Sequence, residues 1–226
     1  HRGKLSLESL EPRRLLAHLE LGAVADGEVA DRDLDGSFET ISTSETSISN
    51  RWFTASDIGQ ERGVFEFDLQ GIPAAATVTS AKIGLRVVTH NSPPDPTLIF
   101  RSYSGDGAVA LADGDAASNA AGTGTVPDTG YYEFTLDAAA IQPHTGGYIG
   151  IRMQGTGLGD TWISVASMEA TLFTEPTLIL DYDPLTLTVA SQAASISEGA
   201  GAATVVVTRN GDLSAPLSVT MASSDT

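Results

Sequence analysis

The sequence contains no cysteine, which excludes a disulfide-stapled fold, thiol catalysis and cysteine-based zinc sites. Aromatic residues are only 6% of the 226 positions and charged residues 18%. Basic residues are scarcest of all, with 12 Lys and Arg against 29 Asp and Glu. No apolar run approaches the ~18–20 residues that a membrane-spanning helix needs, so no membrane span is expected. After Leu21, good helix formers do not recur at a 3.6-residue spacing, which removes the amphipathic-helix signal.

What remains is a chain with 41% hydrophobic residues, enough for a buried core. It is filled out with Ser, Thr, Ala, Gly, Val and Asp, the mixture of strands joined by polar turns. The fold class expected is all-β. The net charge is −17, and residues 21–184 hold 23 of the 29 acidic side chains but seven of the 12 basic ones. Such a field repels nucleic acid and anionic membranes, both of which need clustered Lys and Arg. The same acidity serves solubility in an exported protein.

Three stretches differ in character. Residues 1–20 crowd leucines around Glu11-Pro12-Arg13-Arg14, and Glu8, Glu11, His18 and Glu20 interrupt any signal-peptide apolar core. The run Leu7-Glu-Ser-Leu-Glu-Pro-Arg-Arg-Leu-Leu-Ala17 resembles the LEPR-XLL motif, found near the N-terminus of very large bacterial surface proteins and associated with export or sorting. A short amphipathic tail without a role is the plain alternative.

From 21 to 184 short alternating runs are separated by turn residues. Phe65, Phe67 and Leu69 alternate with Glu66 and Asp68, a pattern that predicts a half-buried strand. Further strands are expected at Val78–Val88, Thr97–Tyr103, Tyr131–Leu136, Tyr148–Met153, Thr161–Val165 and Thr177–Tyr182, with helical turns near Ala112–Asn119 and Asp137–Ile141. This spacing fits a β-sandwich. The block Arg62–Val87, with Phe-Asp-Leu leading through Ile72-Pro73 into Val-Thr-Ser-Ala, resembles the signature of the DNRLRE family. Gly147–Arg152 and Pro176–Tyr182 are similar to its inner and closing strands. The resemblance implies a jelly-roll β-sandwich of the kind found in exported proteins, including carbohydrate-binding modules; no glycan-binding residue of the family maps onto this chain.

In residues 185–226, Leu185–Val189, Ala202–Thr208 and Leu217–Met221 read as strands. The run Ser195-Ile-Ser-Glu-Gly-Ala-Gly-Ala-Ala-Thr-Val-Val-Val-Thr-Arg-Asn-Gly211 resembles the start of a Calx-β domain, an immunoglobulin-like sandwich of about 100 residues. The resemblance implies an incomplete sandwich here, and the chain is expected to be a fragment of a larger protein.

Asp31-Arg32-Asp33-Leu34-Asp35-Gly36 places three carboxylates at alternate positions before a glycine. That is the first half of a calcium loop, in which the oxygens converge and glycine permits the sharp turn. Glu39 stands at the ninth position, while the twelfth is Ser42 rather than glutamate. An acidic turn leading into Phe38–Ile41 accounts for the same residues without a metal. Glu198 stands where the Calx-β resemblance implies an early calcium ligand, and a solvated loop glutamate is its alternative.

Catalysis finds little support. The histidines, His1, His18, His90 and His144, fall in the tail or in expected loops. No Gly-x-Ser-x-Gly elbow, paired-histidine metal motif or phosphate loop occurs. Sugar binding would use aromatic faces, and Trp52 and Tyr131 are the surface candidates, although core roles are open to both. The expectation is therefore a non-catalytic segment of a cell-surface or extracellular protein, serving structural or adhesive display. Its partners would be other surface proteins or a polysaccharide. A neutral-glycan-binding module is the alternative, and a downstream polysaccharide-degrading domain a weaker third.

Overall fold

A computed structural model describes residues 17–53, 59–90, 95–155, 161–184, 187–191 and 205–209. The fold is all-β. Strands β1 (Ala17–Gly22), β2 (Ala25–Asp31), β3 (Thr40–Ser42), β4 (Ser47–Phe53), β5 (Gly59–Asp68), β6 (Thr77–His90) and β7 (Thr97–Gly105) come first. They are followed by β8 (Asn119–Thr125), β9 (Gly130–Leu136), β10 (Tyr148–Gly155), β11 (Thr161–Ala166) and β12 (Thr177–Asp183). These 12 strands form one antiparallel sheet.

The sheet curls because its two central strands share their edges. β6, 14 residues long and rich in β-branched side chains, takes β12 and then β11 along one edge and β9 along the other. β5 likewise takes β4 and β10 along one edge and β2 along the other. Pairing of β4 with β11 joins the halves. Register shifts at Phe100/Arg101, Ser164/Val165 and Asp181/Tyr182 supply the bends that such curling needs. Curling brings β8 beside β9, where the Asp137 amide donates to the Ala121 carbonyl at 2.7 Å. The result is a sandwich. Its main core draws Phe65, Phe67, Phe100, Ile149 and Ile151 from the β5 half and Ile83, Leu85, Phe134 and Leu178 from the β6 half. Each such side chain contributes about 1.5–3 kcal/mol by leaving water. Helix α1 (Ala138–Ile141), capped by Asp137 accepting from the Ala139 amide at 2.9 Å, adds Ala140 and Ile141 to this core.

β6, β7, β9, β10, β11 and β12 fall where the alternation predicts them. Three features differ from expectation. β5 is not half-buried: Val64 and Glu66 on its outward face are as sealed as Phe65 and Phe67, because a second layer lies over it. β8 occupies the segment after a 3-10 turn at Leu111–Gly114, close to where a helical turn was expected to continue. Its Gly124 accepts the Phe134 ring of β9 and its Gly122 the Thr135 carbonyl, so the apolar partner that marks a strand is on the neighbour. β1 starts at Ala17 and pairs with β12 from Ala17↔Tyr182 to Gly22↔Thr177, so residues 17–20 of the stretch read as a tail are strand.

A separate pair, β13 (Leu187–Ser191) and β14 (Val205–Arg209), is antiparallel, at the first two strands expected after residue 184. Leu217–Met221 lies outside the described residues.

Candidate functional site

The turn from β2 to β3 gathers the acidic loop. Asp31 ends β2 opposite Gln60 of β5, and its Oδ2 accepts from the Gln60 side-chain amide at 3.0 Å and from the Gly36 amide at 3.2 Å. Asp33 Oδ1 accepts from the Asp35 amide at 3.2 Å, and Asp35 Oδ1 from the Ser37 amide at 2.7 Å. Glu39 Oε2 closes the loop by accepting from the Arg32 amide at 3.0 Å. Leu34, with φ of 60°, and Gly36, with φ of 95°, make the tight reversal. The four side chains Asp31, Asp33, Asp35 and Glu39 each offer a carboxylate oxygen within 4.8 Å of the others. Asp33, Asp35 and Glu39 are exposed, whereas Asp31 is fully buried. Burial pushes the Asp31 carboxyl up, but hydrogen bonds led by Gln60 and the Gly36 amide outweigh it and hold the carboxyl below its ordinary value. Glu198 lies outside the described residues.

Behind this loop lies the layer that seals the outward face of β5, β10 and β7. Phe38 packs with Val29, Val64 and Tyr103. Its ring covers Gly114, and the Arg62 guanidinium sits 4.8 Å from the ring centroid. Arg62 donates to the Gly114 carbonyl and, through Nε and Nη2, to Gln60 Oε1 at 3.0 and 2.8 Å. Arg152 donates to the carbonyls of Asp113 at 2.9 Å and Ala116 at 3.4 Å, and to Ser118 Oγ at 2.9 Å. Two arginines thereby pin the 113–118 segment onto the sheet. Burial, and then the neighbouring Arg152 charge, pushes Arg62 down to about 10, so it stays cationic at neutral pH. Tyr103 lies across Gly150 and the Glu66 carboxyl across Gly105. Burial raises the Glu66 carboxyl, and burial followed by the Glu66 charge raises the Tyr103 phenol. Sequence spacing placed Glu66 on an exposed strand surface; its carboxyl instead lies against Gly105 and accepts from the Gly107 amide at 3.2 Å.

On the opposite half, Tyr131 of β9 is paired with Arg86 of β6 and is 41% exposed. Its hydroxyl end reaches over Gly84, where a Cβ would lie 2.1 Å from the oxygen. Lys82 and Glu133, next along the same face, form a 2.8 Å ion pair. The Arg86 guanidinium stacks over Phe173, 5.6 Å from its centroid. Phe173 and the 86% exposed Leu172 line an open cavity of about 250 Å³ with Thr46, Ser47, Val88, Ala170 and Thr171. The Trp52 backbone lies in β4, paired with Thr161 and Gln60, and its side chain is outside the described residues. Spacing singled out Tyr131 but not Arg86, Leu172 or Phe173; two adjacent large apolar residues in a Thr, Glu and Pro-rich turn are the signal that marks the last two.

Among the described residues no helix is long and apolar enough to cross a membrane. No protein-family model matches the chain, and no curated protein matches it.

Proposed function

We propose that the chain is a non-catalytic display segment of an exported cell-surface or extracellular protein. The observation that supports this is the use of its buried charges. Asp26 accepts from the Met168 amide at 2.7 Å, while Arg62 and Arg152 hold the carbonyls of the 113–118 segment. Among the described residues these groups hold backbone segments of the scaffold in place. The resemblances of residues 7–17, 62–87 and 195–211 to LEPR-XLL, DNRLRE and Calx-β sequences support the same setting, in which the partners are other surface proteins. Antibody raised against residues 17–184 should label intact cells of the source bacterium; labelling only after permeabilisation overturns the proposal.

A second function is favoured by Tyr131: this sandwich as a binding module for a neutral polysaccharide. An exposed aromatic ring flanked by Arg86, Lys82 and Glu133 offers a stacking face with polar neighbours for sugar hydroxyls. In affinity electrophoresis through neutral polysaccharides, the full chain should be retarded by at least one glycan. Tyr131→Ala should weaken that affinity roughly tenfold, and Tyr131→Phe should keep most of it. Equal migration in every glycan gel rejects this function.

A further inference from the structure

We propose that the β2–β3 turn is a calcium site whose protein oxygens come from Asp31, Asp33, Asp35 and Glu39. Two independent observations carry it. The first is convergence: four carboxylate oxygens lie within 4.8 Å of one another. Oxygens bound to one calcium ion at 2.3–2.6 Å lie on a sphere of about 5 Å diameter, and separations within 4.8 Å are compatible with that sphere. Magnesium, with oxygens at 2.0–2.1 Å, needs a sphere nearer to about 4 Å across and suits a cluster of this span less well. The all-oxygen, all-anionic set contains neither the imidazole nor the thiolate that zinc favours.

The second observation is Asp31 itself. It is completely buried, and its Oδ2 is satisfied by Gln60 and Gly36. Its Oδ1 is sealed from solvent and has no hydrogen-bond partner of good geometry, although the Asp33 and Leu34 amides also favour the charged carboxyl. A carboxylate oxygen so buried and incompletely satisfied is costly, and three more carboxylates beside it add repulsion. The cation within the turn, Arg32, does not relieve this, because its guanidinium is paired with Glu61 at 2.8 Å. A divalent ion seated among the four would satisfy the buried oxygen and cancel the repulsion at once.

The turn also has a route into the rest of the fold. Gln60 donates to Asp31 and accepts from Arg62, which in turn holds the Gly114 carbonyl. Phe38, two residues beyond Gly36, covers Gly114. Ion binding therefore tightens the loop and the 113–118 layer together.

The test uses the full 226-residue chain stripped with EDTA and exchanged into chelator-free buffer. Calorimetric titration with calcium chloride should give one saturable site in the sub-millimolar to millimolar range typical of extracellular modules. Saturating calcium should raise the melting temperature by on the order of 3 °C, and magnesium at matched ionic strength by much less. The double variant Asp33→Asn with Asp35→Asn changes exposed side chains only, so it should fold and melt in EDTA at or above the parent temperature. It should lose the calcium-induced shift and bind at least about tenfold more weakly. No heat and an unchanged melting temperature in millimolar calcium overturn the proposal, as does a shift that the double variant keeps in full.

Discussion

Asp26 illustrates how a single buried carboxyl makes this fold respond to pH. It points inward from β2 opposite Phe65 and is 3% exposed. One oxygen accepts from the Met168 amide while the other is without a partner. Burial, and secondarily the Glu169 carboxylate, pushes its pKa up to about 7. Between the ordinary value and that figure the folded chain holds a proton that the unfolded chain has released, so stability falls as pH rises through this window. His144, lowered by burial, acts in the opposite sense below its ordinary value, which is why a difference measurement is needed. Asp26→Asn keeps an acceptor for Met168 and removes the titration. Its stability relative to the parent should therefore improve by roughly 2 kcal/mol from pH 5 to pH 8, read by urea unfolding at each pH. A difference independent of pH would show that Asp26 stays ionised in the fold. Nothing in Ala25-Asp26-Gly27-Glu28 announces this, because a short acidic segment reads as a turn until its partner strand is known.

At the scale of elements, legibility followed the source of each strand's apolar contacts. β6 and β10 carry their own alternation, Ile83, Leu85 and Val87 in one case and Ile149, Ile151 and Met153 in the other, and all six are buried. β2 and β8 do not. β2 has carboxylates where core residues are expected, and β8 has glycines under which β9 fits its side chains. The acidic loop was legible as a spacing, since three carboxylates at alternate positions before a glycine match the first half of a calcium loop. Its buried anchor was not, because the side chain that holds Asp31, Gln60 of β5, comes from a strand 29 residues further along the sequence. The 113–118 layer rests on close approach between β10 and β7. A Cβ at Gly150 would lie 2.0 Å from the Tyr103 ring, and Tyr103 is itself 3% exposed with little room to retreat. Gly150→Ala should cost about 1–3 kcal/mol, as overpacking does, and should raise amide exchange in 113–118 above that of β6. Unchanged melting would show that the Tyr103 ring moves aside freely.

For the whole molecule, the decisive pairing is β1 with β12. Leu19 and Leu21 pack half-buried against the main core, and the strand covers one edge of β12 along its length. Deleting residues 1–22 bares that edge, a row of unpaired amides and carbonyls suited to joining another chain. The truncated protein should sediment with concentration-dependent association while the intact chain does not; a truncated chain that stays monomeric at high concentration would show that another segment covers β12. The antiparallel register has a mechanical outcome as well. Ala17 faces Tyr182, so the chain enters the sheet and leaves it at the same end of one strand pair. A pull on both flanks would not shear all the rungs of this ladder together; it would open them one after another from the Ala17 end. Forced opening is governed by the barrier to the first rungs, and this sandwich should yield at low load, extending as a compliant link rather than resisting as a rigid one.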